Sequence, residues 1–559
     1  MGSTHRIISE PASERSSEPA PEALPVSTPR NDAESPAPYT VYSGWQKVLL
    51  VAAAAIGGFY NPLTAQVYLP ALNVLADEFN VTPSKINLTV TTYMIFQGVT
   101  PTLFSGFTDA LGRRPAYIIC FLIYIPANIG LALADRYRQL LIVRCLQSAG
   151  SATIMVLSQA VVADTITSAE RGSYVALTGL PIILGPSIGP VIGGAMAMRL
   201  GWRSIFWMLT ICAGINFALL LIFLPETCRK VVGDGSVRPP AMYRTLWQAV
   251  RYRRRRHHGP FGSQNFQSLE KPAYDTGTVG TAAGRSRSKR KSAALNLFSS
   301  FMLLRDVELC LLLLIGGVVF SGVYAIGTAV PHHFKQMYDF NPLEIGLMYL
   351  PMAAGAILAT AVIGPGMNYN YRRHARKLGI AVDRKRKMDL ADFPIEKVRL
   401  QITLPLLLLS VAVVLCWGWI TANRADVEEV CALVFAIGFA LVGVNNTVNS
   451  LIVDIYPERS GAALAAYNLA KCSMGALATA VINPMINAVG FAYAFTVFGG
   501  LYLLLVPVTV LVMKKGMGWR EARRTRAGGE QHETHGDLEV QVVSRNDPSA
   551  GVVPPSLPR

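Results

Sequence analysis

Arg144, Gln147 and Ser151 fall at i, i+3 and i+7 within an apolar stretch, so on a helix they share one face. Lys471 lies near the middle of a second apolar stretch, one turn after Tyr467, and Asn445 and Asn449 form an i, i+4 pair in a third. Tyr60, Asn61, Gln66 and Tyr324 are further polar groups in apolar surroundings. An ionisable side chain held in hydrocarbon is costly unless it meets a partner or a water-filled cavity, so these positions are candidates for recognising charge and hydrogen-bonding groups. Two cations facing one chamber would favour an anion. Each position also has a plainer reading: polar groups on membrane helices join one helix to another, Arg144 can snorkel to an interface, and Lys471 can pair with a backbone carbonyl or Tyr467. Covalent chemistry is not indicated. The eight cysteines are scattered singly, no Cys/His spacing suits a metal, and no G-x-x-x-x-G-K-[ST] run is present, so metal, disulfide and ATP are not expected. No carboxylate lies mid-stretch: Asp109, Asp164 and Asp454 sit at one set of ends, Glu344 with His332 and His333 at the other.

The elements that must position these groups follow from composition. The chain has 559 residues, 51% of them hydrophobic and only 15% charged, which is too apolar for a water-soluble protein of this length. Charge-poor segments of about 20 residues recur, each long enough to cross a hydrocarbon core of roughly 30 Å. Twelve are expected, near 46–70, 84–107, 115–134, 138–163, 173–198, 203–224, 307–331, 342–364, 400–421, 428–453, 460–485 and 491–513. Lipid offers no hydrogen bonds to the backbone, so such segments must be helices, and the fold class is an all-α polytopic membrane protein. The order suggests a disordered tail over 1–44, a six-helix half over 45–225, a basic linker over 226–305, a second six-helix half over 306–514 and a polar tail over 515–559. Arg251, Arg253 to Arg256 and Lys289 to Lys291 in the linker, with Arg384 to Lys387 after the eighth span, place those loops and both termini in the cytoplasm. The net charge of +16 then follows from the positive-inside rule, and a nucleic-acid partner is not expected. Monomer is the default for such a unit.

Four motifs sharpen the reading. GFTDALGRRP, between spans two and three, carries Gly106, Asp109, Gly112, Arg113 and Arg114. The glycines permit a tight turn and Asp109 can accept helix N-terminal N–H groups or an Arg, so the cluster can latch and release one end of the bundle. GLPIILGPSIGPVIGG places Gly185, Gly189 and Gly193 four residues apart, a ridge that admits another helix closely, while Pro186 and Pro190 remove backbone donors. FPIEKVRL at 393–400 and YNLAKC at 467–472 lie in the second half. Together these resemble the major facilitator superfamily, in particular the fungal twelve-span drug:proton antiporter branch with its quinidine-resistance-type and citrate-exporter-like members, over about residues 45 to 515. Ala110 stands where many members carry a basic residue. Lys471 stands where the branch usually has Arg, and Asn368 where relatives often have an acid, which leaves a second-half copy of the latch in doubt.

The resemblance implies a major facilitator fold and an efflux transporter of the plasma membrane, working by alternating access on a small organic molecule such as a drug, a secondary metabolite or a carboxylate. It implies proton antiport as the drive, with no bound cofactor, and a role for Arg144 in coupling substrate or proton movement. The proline- and glycine-rich motif marks exporters in that family. Alternatives are an organic-acid exporter or uptake carrier without proton exchange, and a non-transporting receptor. An enzyme is not expected.

Overall fold

The computed structural model describes residues 43–166, 171–232, 243–245, 305–379, 393–456 and 460–546, with side chains at 105–110, 171–183, 526–546 and a few isolated positions outside that description. All the elements described belong to the compact unit Tyr39–Arg559. Twelve long helices run in chain order: α1 Gly44–Val67, α2 Pro83–Leu111, α3 Arg113–Ala132, α4 Tyr137–Thr165, α5 Arg171–Arg199, α6 Arg203–Phe223, α7 Val307–Tyr338, α8 Leu350–Lys377, α9 Ile395–Ala422, α10 Val427–Ile455, α11 Ser460–Val489 and α12 Phe491–Asn546. No strand occurs among the described residues. Ten of the twelve are long and apolar enough to cross a membrane over their described residues, all but α2 and α5. The chain is a multi-pass membrane protein of all-α class.

Helix ends are set by local chemistry. Ser43 and Gln46 close a capping box at the start of α1, and Asp306 accepts from the Glu308 N–H at the start of α7. Asp339 in the left-handed region ends α7, and a short helix, Pro342–Leu347, opens on a second capping box between Asn341 and Glu344. A turn at Leu69–Ala71 and a short helix Leu72–Glu78 follow α1 in the corresponding place.

Helix packing repeats itself between the halves. α1 packs on α5 as α7 packs on α11; α2 on α4 as α8 on α10; α3 on α6 as α9 on α12. Adding six to each helix number maps one half onto the other. The halves meet along two seams related in the same way, α2 against α11 and α5 against α8. We call the end of the bundle at which α1 and α7 begin the near end, and its opposite the far end.

Two expectations meet a different outcome. The described part of the polar tail expected from residue 515 is instead helical, since α12 continues unbroken to Asn546. Arg520 and Arg523 anchor the first turns of this extension: Arg520 donates to the Phe393 carbonyl at 2.7 Å and pairs with Glu396, and Arg523 pairs with Asp306 and Glu308 while its guanidinium lies over the Tyr456 ring. The span expected at 342–364 divides into the short far-end helix and α8. Most of the tail 1–44 and of the linker 226–305, and the loop bearing Arg384 to Lys387, lie outside the described residues.

Candidate functional site

Arg144 is fully buried on α4. Its guanidinium sits between two aromatic faces, 4.2 Å from the Tyr68 ring centroid and 4.4 Å from that of Tyr93, and donates to Gln147 Oε1 at 2.6 Å. Gln147 in turn donates to Asn128 Oδ1 at 2.7 Å, and Asn128 to the Tyr124 carbonyl. Nε and Nη2 of Arg144 have no hydrogen-bond partner among the described residues. The side chain does not snorkel. Stacking on aromatic faces supplies up to about 2 kcal/mol for a desolvated cation. That does not offset the several kcal/mol of burying an ion without a counter-charge.

A polar chain runs from this cation to the seam between the halves. Tyr93 shares a 3.0 Å hydrogen bond with Ser151, Asn61 donates to both at 3.4–3.5 Å, and Gln97 donates to Asn61 Oδ1 at 2.9 Å. Across the seam, Asn468 on α11 donates to the Gln97 carbonyl at 3.3 Å. Ser151 and Gln147, singled out from spacing, and Asn61, singled out as a polar group in apolar surroundings, therefore meet in one network through Arg144 and Tyr93. Tyr60 does not join it, donating instead to the Cys212 carbonyl on α6 at 2.7 Å. Gln66 is buried with its Cβ against α5 at Gly189.

Lys471 is half-buried on α11, its ammonium over the faces of Tyr467 at 4.5 Å and Phe320 at 5.1 Å. No anion faces it among the described residues. Tyr467 spends its hydroxyl on Asn445 Oδ1 at 2.5 Å, so the tyrosine meets the lysine by its ring and not by its oxygen. Tyr324 lies tilted against Phe320, ring centroids 5.0 Å apart, and packs with Met94 and Ala476, where α7, α2 and α11 meet. Asn449 is exposed and stands apart from Asn445.

The glycine ridge of α5 packs on α1. A Cβ on Gly185 would stand 2.7 Å from Pro62 Cβ and 2.9 Å from the Leu63 nitrogen, one on Gly189 3.2 Å from the Val67 nitrogen, and one on Gly193 would strike the Val67 carbonyl. Pro186 and Pro190 leave α5 a single helix.

At the near end the motif around Gly112 forms clamps. Gly112 has φ +93°, and the Glu226 carboxylate after α6 takes the place of its missing cap, accepting from the Arg113 and Arg114 nitrogens at 2.8 and 3.1 Å and from Thr227 and Cys228. Arg113 pairs with Asp164 at the end of α4 at 2.8 Å. Arg114 donates to the Leu220, Leu221 and Leu224 carbonyls at the end of α6. Side chains at Gly106 and Asp109 lie outside the described residues. In the second half Arg399 pairs with Asp454 at 2.9 Å, joining α9 to α10 as Arg113 joins α3 to α4. An Arg–Asp pair of the same kind therefore stands in the second half without using Asn368. Sequence reasoning missed Tyr68, Tyr93, Gln97, Asn128, Phe320 and Glu226. Gln97 and Asn128, polar residues within apolar spans, and Glu226, an acid directly after one, carried a visible signal; the aromatic residues did not.

Two six-helix halves around a central polar seam, with charged clamps at one end, define a membrane transporter. Residues 54–479 match the Major Facilitator Superfamily, and the chain belongs to it. It is 40% identical to the MFS-type transporter phiD of Fungal sp. over 87% of this chain and 70% of that protein. It is 36% identical to the MFS-type transporter tstD of Talaromyces stipitatus over 89% and 87%, and 30% identical to Citrate exporter 1 of Aspergillus niger over 90% and 92%. Among solved structures, the inward-open xylose transporter XylE of E. coli superposes with a TM-score of 0.56 at 15% identity, covering 83% of this chain and 95% of that one. The human organic anion transporter MFSD10 gives 0.51 at 18% identity, over 83% and 99%. These two share the fold.

Proposed function

We propose that this transporter exports a small organic molecule, most favourably one bearing a carboxylate, by alternating access between its halves and in exchange for protons. The observation that carries the reading is Lys471: a half-buried cation with aromatic walls and no facing anion among the described residues is a site waiting for an anionic group. Arg144, with two unused donors, is a second attraction one shell deeper. The name of the citrate exporter supports a carboxylate, and the α5 motif supports export. In this reading the near end faces the cytoplasm of a plasma membrane and one twelve-helix chain is the working unit. Uniport of the anion is the second reading, favoured by the lack of a mid-span carboxylate among the described residues.

Membrane vesicles carrying the full chain, loaded with radiolabelled citrate or salicylate, test this. Efflux above that of empty vesicles and faster with acid on the receiving side is expected; pH-independent efflux selects uniport, and no efflux of either probe overturns the carboxylate reading. Lys471→Gln removes a charge-assisted contact of about 1.5–3 kcal/mol, so efflux at limiting cargo falls roughly tenfold or more.

A further inference from the structure

The far end of the bundle is closed in this structure, and the closure rests on backbone touching backbone. Gly194, at the end of the α5 motif, and Gly346, on the short helix before α8, belong to opposite halves, and each abuts the backbone of the helix that carries the other, about one turn away from it. A Cβ on Gly194 would strike the Pro342 carbonyl and stand 3.1 Å from Leu343 Cα; one on Gly346 would strike the Pro190 carbonyl and stand 3.3 Å from Val191 Cα. The short helix is fixed at its start by the Asn341–Glu344 capping box, with Asn341 Oδ1 accepting from the Leu343 and Glu344 nitrogens at 3.0 Å, so the surface offered to α5 is rigid. Two polar contacts cross between the halves beside it. Asn73 donates to the Pro331 carbonyl at 2.5 Å, and Lys335 pairs with Asp77 at 2.8 Å. The ion pair is exposed and contributes little. Pro331 itself deprives the Gly327 carbonyl of its helical donor, and the Tyr349 hydroxyl fills the vacancy at 2.5 Å, bracing α7 where Asn73 grips it.

We infer that Gly194 and Gly346 are the positioning residues of a far-side gate: their missing side chains let the halves close there, and any side chain at either shifts the resting population toward the far-open state. A transporter that alternates must separate these surfaces once per cycle, so the contact has to be tight yet free of interdigitated side chains. Bare backbone against bare backbone meets both demands. The inference rests on alternating access as proposed above.

The test uses full-length protein in membranes with Asp77→Cys and Lys335→Cys, a protease site inserted in the 246–304 linker, and a short bifunctional thiol reagent. Cross-linked halves stay together on a gel after cleavage, and each single-cysteine parent controls for the native thiols. Rapid cross-linking is expected in the parent and roughly tenfold slower cross-linking with Gly194→Ala or Gly346→Ala, the change that a shifted two-state population gives. Asn73→Ala slows it less, and Gly500→Ala, which meets no neighbouring atom, leaves it unchanged. Where one glycine variant fails to reach the membrane, the other together with Asn73→Ala gives the answer. Parental rates in the glycine variants, or equal slowing by Gly500→Ala, overturn the gate. Undiminished citrate efflux from the cross-linked parent overturns alternating access itself.

Discussion

Tyr93 does two jobs for Arg144: its ring stacks on the guanidinium and its hydroxyl holds Ser151. Tyr93→Phe keeps the first and loses the second, at about 1 kcal/mol. Tyr93→Ala loses both and leaves a cavity, at about 3–5 kcal/mol. Unfolding of the purified protein followed by thiol-reactive dye should rank them in that order; equal shifts would mean the ring adds nothing. Arg144, Gln147 and Ser151 were legible in the sequence because helical spacing puts them on one face. Their aromatic partners were not. Tyr68 lies at the end of α1 and Tyr93 on α2, and nothing in a sequence says which tyrosine from another helix will slide over a given guanidinium.

Helices are held at their ends by charges from elsewhere in the chain. Glu226 closes the open start of α3, so Glu226→Ala strands the Arg113 and Arg114 N–H groups. A loss of about 1–2 kcal/mol is expected, seen as faster amide exchange at the first turn of α3 with little change elsewhere. At the other half, Arg520 and Arg523 tie α12 to the starts of α7 and α9. Removing both leaves Glu308 and Glu396 buried without their partners, a cost of about 3–5 kcal/mol or more. Truncation after residue 525 should therefore leave expression and melting temperature near wild type, while truncation after 513 should lose folded protein. The twelve spans and most of their limits were readable from hydrophobic runs, since lipid enforces helix; the span expected at 342–364 was the one most displaced. The continuation of α12 was not, because its support comes from acids far earlier in the chain, Glu396 124 residues before Arg520 and Glu308 215 before Arg523, and a polar helix without that support reads as a tail.

The two halves repeat one packing scheme and meet along two seams, α2 with α11 and α5 with α8. Those seams include buried contacts such as Thr91 with Thr479 at 2.8 Å, so a chain divided within the 246–304 linker should still assemble. Co-expressed halves, one tagged, are expected to copurify in mild detergent, and recovery of the tagged half alone would deny the seams their role. The six-plus-six plan and the glycine ridge were legible from order and spacing. Which end is shut was not, because closure depends on Gly346, a single small residue in a short segment with no periodic signal around it.

Gly193 and Gly194 are neighbours in the chain, yet one is pressed on Val67 of its own half and the other on Pro342 of the opposite half. The first contact is permanent and the second is broken and remade. Adjacent codons should consequently yield unlike defects when enlarged: at the first, protein that never accumulates; at the second, protein that accumulates normally but idles.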